Sequence, residues 1–217
     1  MKSNVIIVGA GGHAAEIRDY VNHFNQANKD SQLTVIGFLD DDQQSYHHYG
    51  FNEPYLGSID DHIINPSAAY IMGIANLSYR KKLILKLQSK GANFRGLIHP
   101  TAIISPSSEI DKTTVISHNA SVGAKVKIGA FNMLNSRCTI GHDTQIGEFN
   151  FISPQVAIAG NTSIGNENLI GTNACTIPGM KIGDNNKIAA GMTIYKSVGD
   201  NETVIYKHKE RVIFKNE

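Results

Sequence analysis

The sequence predicts a small α/β domain built on a parallel sheet, followed by a parallel β-helix. Strand and helix signals alternate from Met1 to about Gly96, and after His99 a six-residue period takes over. A glycine turn between the first strand and the first helix gives the first domain a Rossmann-like character.

In the first part, "VIIVG" is a continuous β-branched run of the kind found in strands buried on both faces, and it stops at "AGGH". The spacing predicts a helix from about His13 to Phe24, with Ile17, Tyr20, Val21 and Phe24 on one stripe. "LTVIGFLD" and "AAYIMGI" read as further strands. "YRKKLILKLQSKG" reads as a helix ended by Gly91.

In the second part, sixteen positions six apart run from Ile104 to Ile194, and fifteen of them are aliphatic, Thr176 being the exception. Seven are followed directly by glycine, and the residue two before is usually small. Six fits neither the helical nor the strand period, so each hexad is a short strand plus a corner. Three hexads make one triangular coil, with the aliphatic residue inward and stacked on its counterpart about 4.8 Å along the axis. The expected organisation is an α/β domain at 1–96, a β-helix at 97–198 and a terminal cap at 199–217, where the repeat is lost.

Composition narrows the function. With 217 residues, 41% hydrophobic and 18% charged, the chain can bury a real core. A net charge of +1 without long basic runs gives no surface for nucleic acid. No window approaches the ~20 apolar residues of a membrane span, and the N-terminal run lacks a cleavage site. Cys138 and Cys175 lack metal or redox spacing and read as two buried thiols of a cytoplasmic protein.

Gly9, Gly11 and Ala14 have the G-x-G-x-x-A spacing of a turn that lets phosphate approach a helix N-terminus. "FLDDD" ends the next strand, where a carboxylate can meet a ribose hydroxyl, and His13 reads as a substrate contact. A purely structural glycine turn remains the alternative. A β-helix offers no obvious way to cover a nicotinamide, which argues against dehydrogenase chemistry. His47 and His48 lie in polar sequence without a further metal ligand and are expected in a solvated loop, so no metal site is expected.

Two histidines of the repeat, His118 and His142, fall on corners. They are twenty-four residues apart, hence on different corners. His142 has the small residues Ala124 and Gly160 one coil away on either side, and Asp143 follows it. A neighbouring carboxylate fixes an imidazole's tautomer and raises its basicity. His118 has no such partner in sequence and reads as a solvated corner.

"VGAGGHA", "FLDDD", "IMGIANLSYRKKL", "LIHPTAIISPS" and "IGHDTQIGEFNFISPQVAIAGNTSIG" together resemble bacterial sugar acetyltransferases of the NeuD/PglD type, over nearly the whole chain. That family contains nucleotide-linked 4-amino-sugar N-acetyltransferases and sialic acid O-acetyltransferases. The resemblance implies a left-handed β-helix, a homotrimer, acetyl-CoA bound between two prisms, and a role in cell-surface glycan or lipopolysaccharide biosynthesis. It makes His142 the general base and Asp143 its tuner, and it places Gly11, Gly12, His13, Asp40, Asp41, Ala75, Asn76 and Asn135 in the substrate site. Gly160, Thr172 and Ala190 fall where the family contacts the cofactor. Phe151 stands where many members have a second, cofactor-contacting histidine, and the tail lacks the family's G-x-P-A-[KR] ending.

The expected function is therefore acetyl-CoA-dependent N-acetylation of a nucleotide-linked amino sugar by direct transfer. Sugar O-acetylation, or a non-catalytic scaffold that senses a nucleotide, are the rivals.

Overall fold

The protein is described by a computed structural model covering residues 2–207. The chain begins with β1 (Lys2–Val8), α1 (Gly12–Ala27), β2 (Gln32–Leu39), α2 (Gln43–Tyr49), β3 (Ala68–Met72), α3 (Leu77–Ser89) and β4 (Asn93–Phe94). The four strands form one parallel sheet in the order β2-β1-β3-β4. The chain leaves β1 toward β2 on one side and β3 on the other, and the crevice at the strands' carboxyl ends beside that switch is where such sheets take ligands.

Local chemistry explains the helices. Ile17, Tyr20 and Val21 of α1 are buried on the sheet, and Phe24 is half-buried beside them. α3 is capped by Asn76, whose side chain accepts from the Ser78 N–H at 2.9 Å. It ends at Gly91, which adopts φ +96°. His47 and His48 are exposed as expected, but on a short helix and not in a loop. Asp42 caps α2 through Gln44, and Gly50 ends it in the left-handed region.

From Leu97 onward, two-residue strands stack into three parallel sheets, one on each face of a prism. Up to Ile194 each rung pairs with the rung eighteen residues away, as Thr139–Ile140 does with Ala157–Ile158. The inward aliphatic residues form one continuous core, with Ile116, Ile140, Ile152 and Ile170 all at most 1% exposed. Truncating one such rung, as in Ile140→Ala, costs roughly 2–5 kcal/mol. At most corners the third residue after the inward position lies in the left-handed region, from Asn119 to Asn185 in steps of six. Asparagine and aspartate tolerate that conformation. Phe131 and Phe149 do not favour it, and they are held there by stacking on each other at 5.0 Å under the α/β domain.

The three faces differ in what they carry outward. The first, with Val115, Met133, Phe151 and Leu169, is covered by the α/β domain. The second presents Ile103, Ser121, Thr139, Ala157, Cys175 and Thr193, none of them charged. The third presents Glu109, Lys127, Gln145, Ser163 and Lys181. Cys138 is buried, but Cys175 is only half-buried because it points outward from its rung, which corrects the expectation of two buried thiols. Thr203–Val204 adds a last rung beside Lys187–Ile188. Residues 208–217 of the expected cap lie outside the described residues. No helix among those described is long and apolar enough to cross a membrane.

Candidate active site

Seven predicted site residues meet in one cleft at the carboxyl ends of β1, β2 and β3. Gly11, Gly12, His13, Asp40, Asp41, Ala75 and Asn76 all line a cavity of about 410 Å³. Asp40 braces the glycine turn, its Oδ2 accepting from the Ala10 N–H at 2.6 Å and its Oδ1 from Asp42 at 2.9 Å. Asp41 accepts from the Ile59 N–H at 2.8 Å. A carboxylate has about four acceptor positions, so both aspartates retain capacity for ligand hydroxyls.

His13 sits at the start of α1, with Nδ1 3.1 Å from Glu16 Oε2 and its ring 6.1 Å edge-on from Phe151. Its hydrogen bond, followed by the charges of His13 and His118, holds the Glu16 carboxyl below the usual glutamate value against the opposing effect of burial. Phe151 thus lies on the covered first face, tying the prism to the cleft.

His142 stands on the corner between the second and third faces, opposite the face that carries the α/β domain. Asp143 adopts φ 56°, and this left-handed turn swings its short carboxylate back to within 2.8 Å of His142 Nδ1. An ionised carboxylate only accepts, so Nδ1 carries the proton and Nε2 presents a lone pair. The ring is 63% exposed and free to meet a ligand.

Two glycines permit this arrangement by close approach. A Cβ on Gly141 would lie 2.4 Å from the Gly160 nitrogen, so only glycine lets the next coil settle there. A Cβ on Gly160 would lie 2.8 Å from His142 Nε2. The Gly160 N–H donates to no backbone carbonyl among the described residues.

Asn135, Thr172 and Ala190 are not beside His142. They project from the corner between the first and second faces, where Asn135 Oδ1 accepts from the Ser136 N–H and Thr172 and Ala190 are exposed. The predicted residues therefore fall into three groups: the cleft, the His142 corner and the Asn135 corner.

His118 is on this latter corner, and the expectation of a solvated residue is corrected. It is half-buried beneath α1, with the Tyr20 ring at 6.0 Å and the His99 ring at 5.9 Å. His99 is 4% exposed, and its Nδ1 accepts from the Thr101 N–H at 3.2 Å. Its Nε2 therefore donates to His23 Nδ1 at 2.8 Å. Burial, and then the charges of His23 and His118, push the His99 pKa down. Nothing in local sequence signalled this cluster, because α1 brings its upper half from another domain. Cys138 is unsuited to covalent chemistry, since burial pushes its thiol up to about 12.

Among the described residues no three His, Cys, Asp or Glu side chains are placed to hold a metal.

Residues 4–87 match the family model of the PglD N-terminal domain. The UDP-N-acetylbacillosamine N-acetyltransferase of Bacillus subtilis (strain 168) is 35% identical over 117 residues. That match spans 52% of this chain and only half, 50%, of the curated relative. The acetyltransferase domain of PglB from Neisseria gonorrhoeae FA1090, solved with acetyl coenzyme A, superposes with a TM-score of 0.79 at 26% identity, covering 94% of this chain and 96% of that one.

Residues 4–87 thus resemble a PglD N-terminal domain, and nearly the whole chain shares the fold of a solved acetyltransferase domain.

The same fold is found in PerB from Caulobacter crescentus, solved with CoA and GDP-perosamine, at a TM-score of 0.80 and 24% identity over 93% of both chains. As in these relatives, a small parallel α/β domain precedes a left-handed β-helix.

Proposed function

We propose that the protein is an acetyl-CoA-dependent N-acetyltransferase acting on the amino group of a nucleotide-linked amino sugar, a 4-amino sugar in the leading form. The observation that carries this is the His142 corner: a carboxylate-oriented imidazole with its Nε2 lone pair free, beneath an open glycine one coil away. The relatives named above support the substrate class, because their names specify sugar N-acetylation and complexes with acetyl coenzyme A or a nucleotide sugar.

In this mechanism the sugar amine attacks the thioester carbonyl of acetyl-CoA while His142 Nε2 takes its proton. Asp143 holds the tautomer and stabilises the imidazolium that forms. The Gly160 N–H, unused by the backbone, donates to the oxygen on which negative charge develops. The tetrahedral intermediate collapses, the C–S bond breaks, and the proton from His142 leaves with the CoA thiol.

A homotrimer completes the site in this reading. Within one chain His142 lies on the edge opposite the cleft-bearing face, so it cannot serve its own cleft. The uncharged second face is bounded by the His142 corner on one side and the Asn135 corner on the other. Packing three such faces around an axis brings each His142 to the Asn135, Thr172 and Ala190 corner of the next chain, beside that chain's α1 and cleft. Acetyl-CoA then lies between two prisms, in a cytoplasmic step of glycan or lipopolysaccharide assembly.

The test is CoA thiol release with UDP-, GDP- and TDP-linked 4-amino sugars, their 4-hydroxy counterparts and sialic acid. Turnover confined to the amino sugars is expected. Turnover only with hydroxyl acceptors would establish the O-acetyltransferase alternative, and none with any acceptor would favour a scaffold.

A further inference from the structure

A second groove, of about 640 Å³, runs between α3 and the first face of the prism, and it meets the nucleotide cleft only at Ala75 and Asn76. Its apolar side comes from Phe149, Phe151 and Leu169. Arg80, Lys81, Lys82 and Lys187 also line it, against one carboxylate among the described residues, Glu167. That carboxylate is already taken by Lys81, whose ammonium also sits 5.4 Å over the Phe149 ring.

Among the described residues Arg80 has no such partner: it is 2% exposed, and neither Nε nor Nη1 finds a hydrogen-bond acceptor there. Folded chains rarely leave a buried guanidinium dry and unpaired, because its lost hydration is then uncompensated. Burial lowers the Arg80 pKa only to about 10, so the buried group stays charged at neutral pH and would gain from a counter-charge. Water could satisfy the N–H donors but would not neutralise the charge.

We propose that this groove binds a small organic anion, whose phosphoryl or carboxylate head pairs with Arg80 and whose apolar body lies against Phe149 and Phe151. A guanidinium takes such a head through two parallel hydrogen bonds. The exposed Lys82 and Lys187 draw the ligand in without being desolvated. Because α3 supplies one wall and the prism the other, the ligand bridges the two domains and holds the nucleotide cleft in place on the prism. This inference does not depend on the acetyl-transfer reading, since Arg80 does not line the cleft and the His142 corner lies on the opposite edge of the prism.

The experiment uses the full chain in low-salt buffer, with phenyl phosphate, benzoate and inorganic phosphate as probes. Binding is read by calorimetry and by the rise in Tm that a native-state ligand produces. Saturable binding of phenyl phosphate or benzoate is expected, roughly tenfold tighter than inorganic phosphate because of the aromatic contact. Their ratio tells a phosphoryl from a carboxylate site. Saturating UDP should leave the binding in place. Arg80→Lys should weaken binding roughly tenfold by losing the paired contact. The double variant Lys82→Ala/Lys187→Ala, altered only at the surface, should weaken it about threefold with an unchanged ligand-free Tm. No saturable binding of any probe up to about 10 mM, a range in which even millimolar sites fill, would overturn the proposal. So would full displacement by UDP, or wild-type affinity in both folded variants.

Discussion

Replacing Gly160 by alanine should disable the proposed base while sparing the fold. The added Cβ would meet His142 Nε2 at 2.8 Å, Cε1 at 2.9 Å and Cδ2 at 3.1 Å. Carbon and nitrogen rest about 3.5–4.0 Å apart, so the ring must retreat on the order of 1 Å. It can do so, because the side chain is 63% exposed and the three atoms nearest the methyl group all belong to that ring. Gly160 does not occupy the left-handed region, so alanine brings no backbone strain. The stability change should stay within about 0.5 kcal/mol, a Tm shift of about 2 °C or less for a chain of this size. A displacement of this size costs about 100-fold in rate when it moves a reacting group. Steady-state thiol release and a thermal melt on the same sample check both halves. Wild-type turnover in Gly160→Ala, or a Tm loss of about 10 °C, would refute the reasoning.

Two further outcomes follow from the geometry. If the cleft of one chain uses the His142 of another, mixing and refolding His142→Ala with Asp41→Ala should restore activity that each lacks alone, because mixed trimers contain intact sites; activity no higher than the sum of the two would contradict the shared site. The second outcome concerns acid: the His99 pKa is lowered in the fold from its ordinary 6.5, so the unfolded chain binds that proton more readily. Stability is then full above about pH 6.5 and declines as pH falls through that value. His99→Asn, whose side-chain oxygen can still accept from Thr101, should be less stable at neutral pH but flatter between about pH 5 and 7, as urea melts at stepped pH would report.

The prism was legible because its period is local: one inward residue every six, with the coil fixed by stacking. The cleft was legible for a related reason, since residues at the ends of β1, β2 and β3 converge wherever a parallel sheet forms. The asparagine ladder was visible only in hindsight. Asn132, Asn150, Asn168 and Asn186 recur every eighteen residues, the Nδ2 of Asn150 and of Asn168 each donating to the Oδ1 of the asparagine one coil below, at 3.0 and 2.9 Å. These are polar residues at an inward position, and a six-residue reading averages them away. α2 has no apolar stripe and is held by its caps, so "QQSYHHY" gave no helical signal. The packing of His118 under Tyr20, and the isolation of Arg80, depend on how two domains meet, and no local pattern encodes that.

Central to the account is the transfer of a proton from the sugar amine to His142. The most direct measurement is kcat for CoA release by His142→Ala at saturating acetyl-CoA and amino sugar, together with acetyl-CoA affinity by calorimetry. A general base contributes about 10²- to 10⁴-fold, so kcat should fall by that factor with acetyl-CoA affinity unchanged. A kcat within about twofold of wild type would contradict the account.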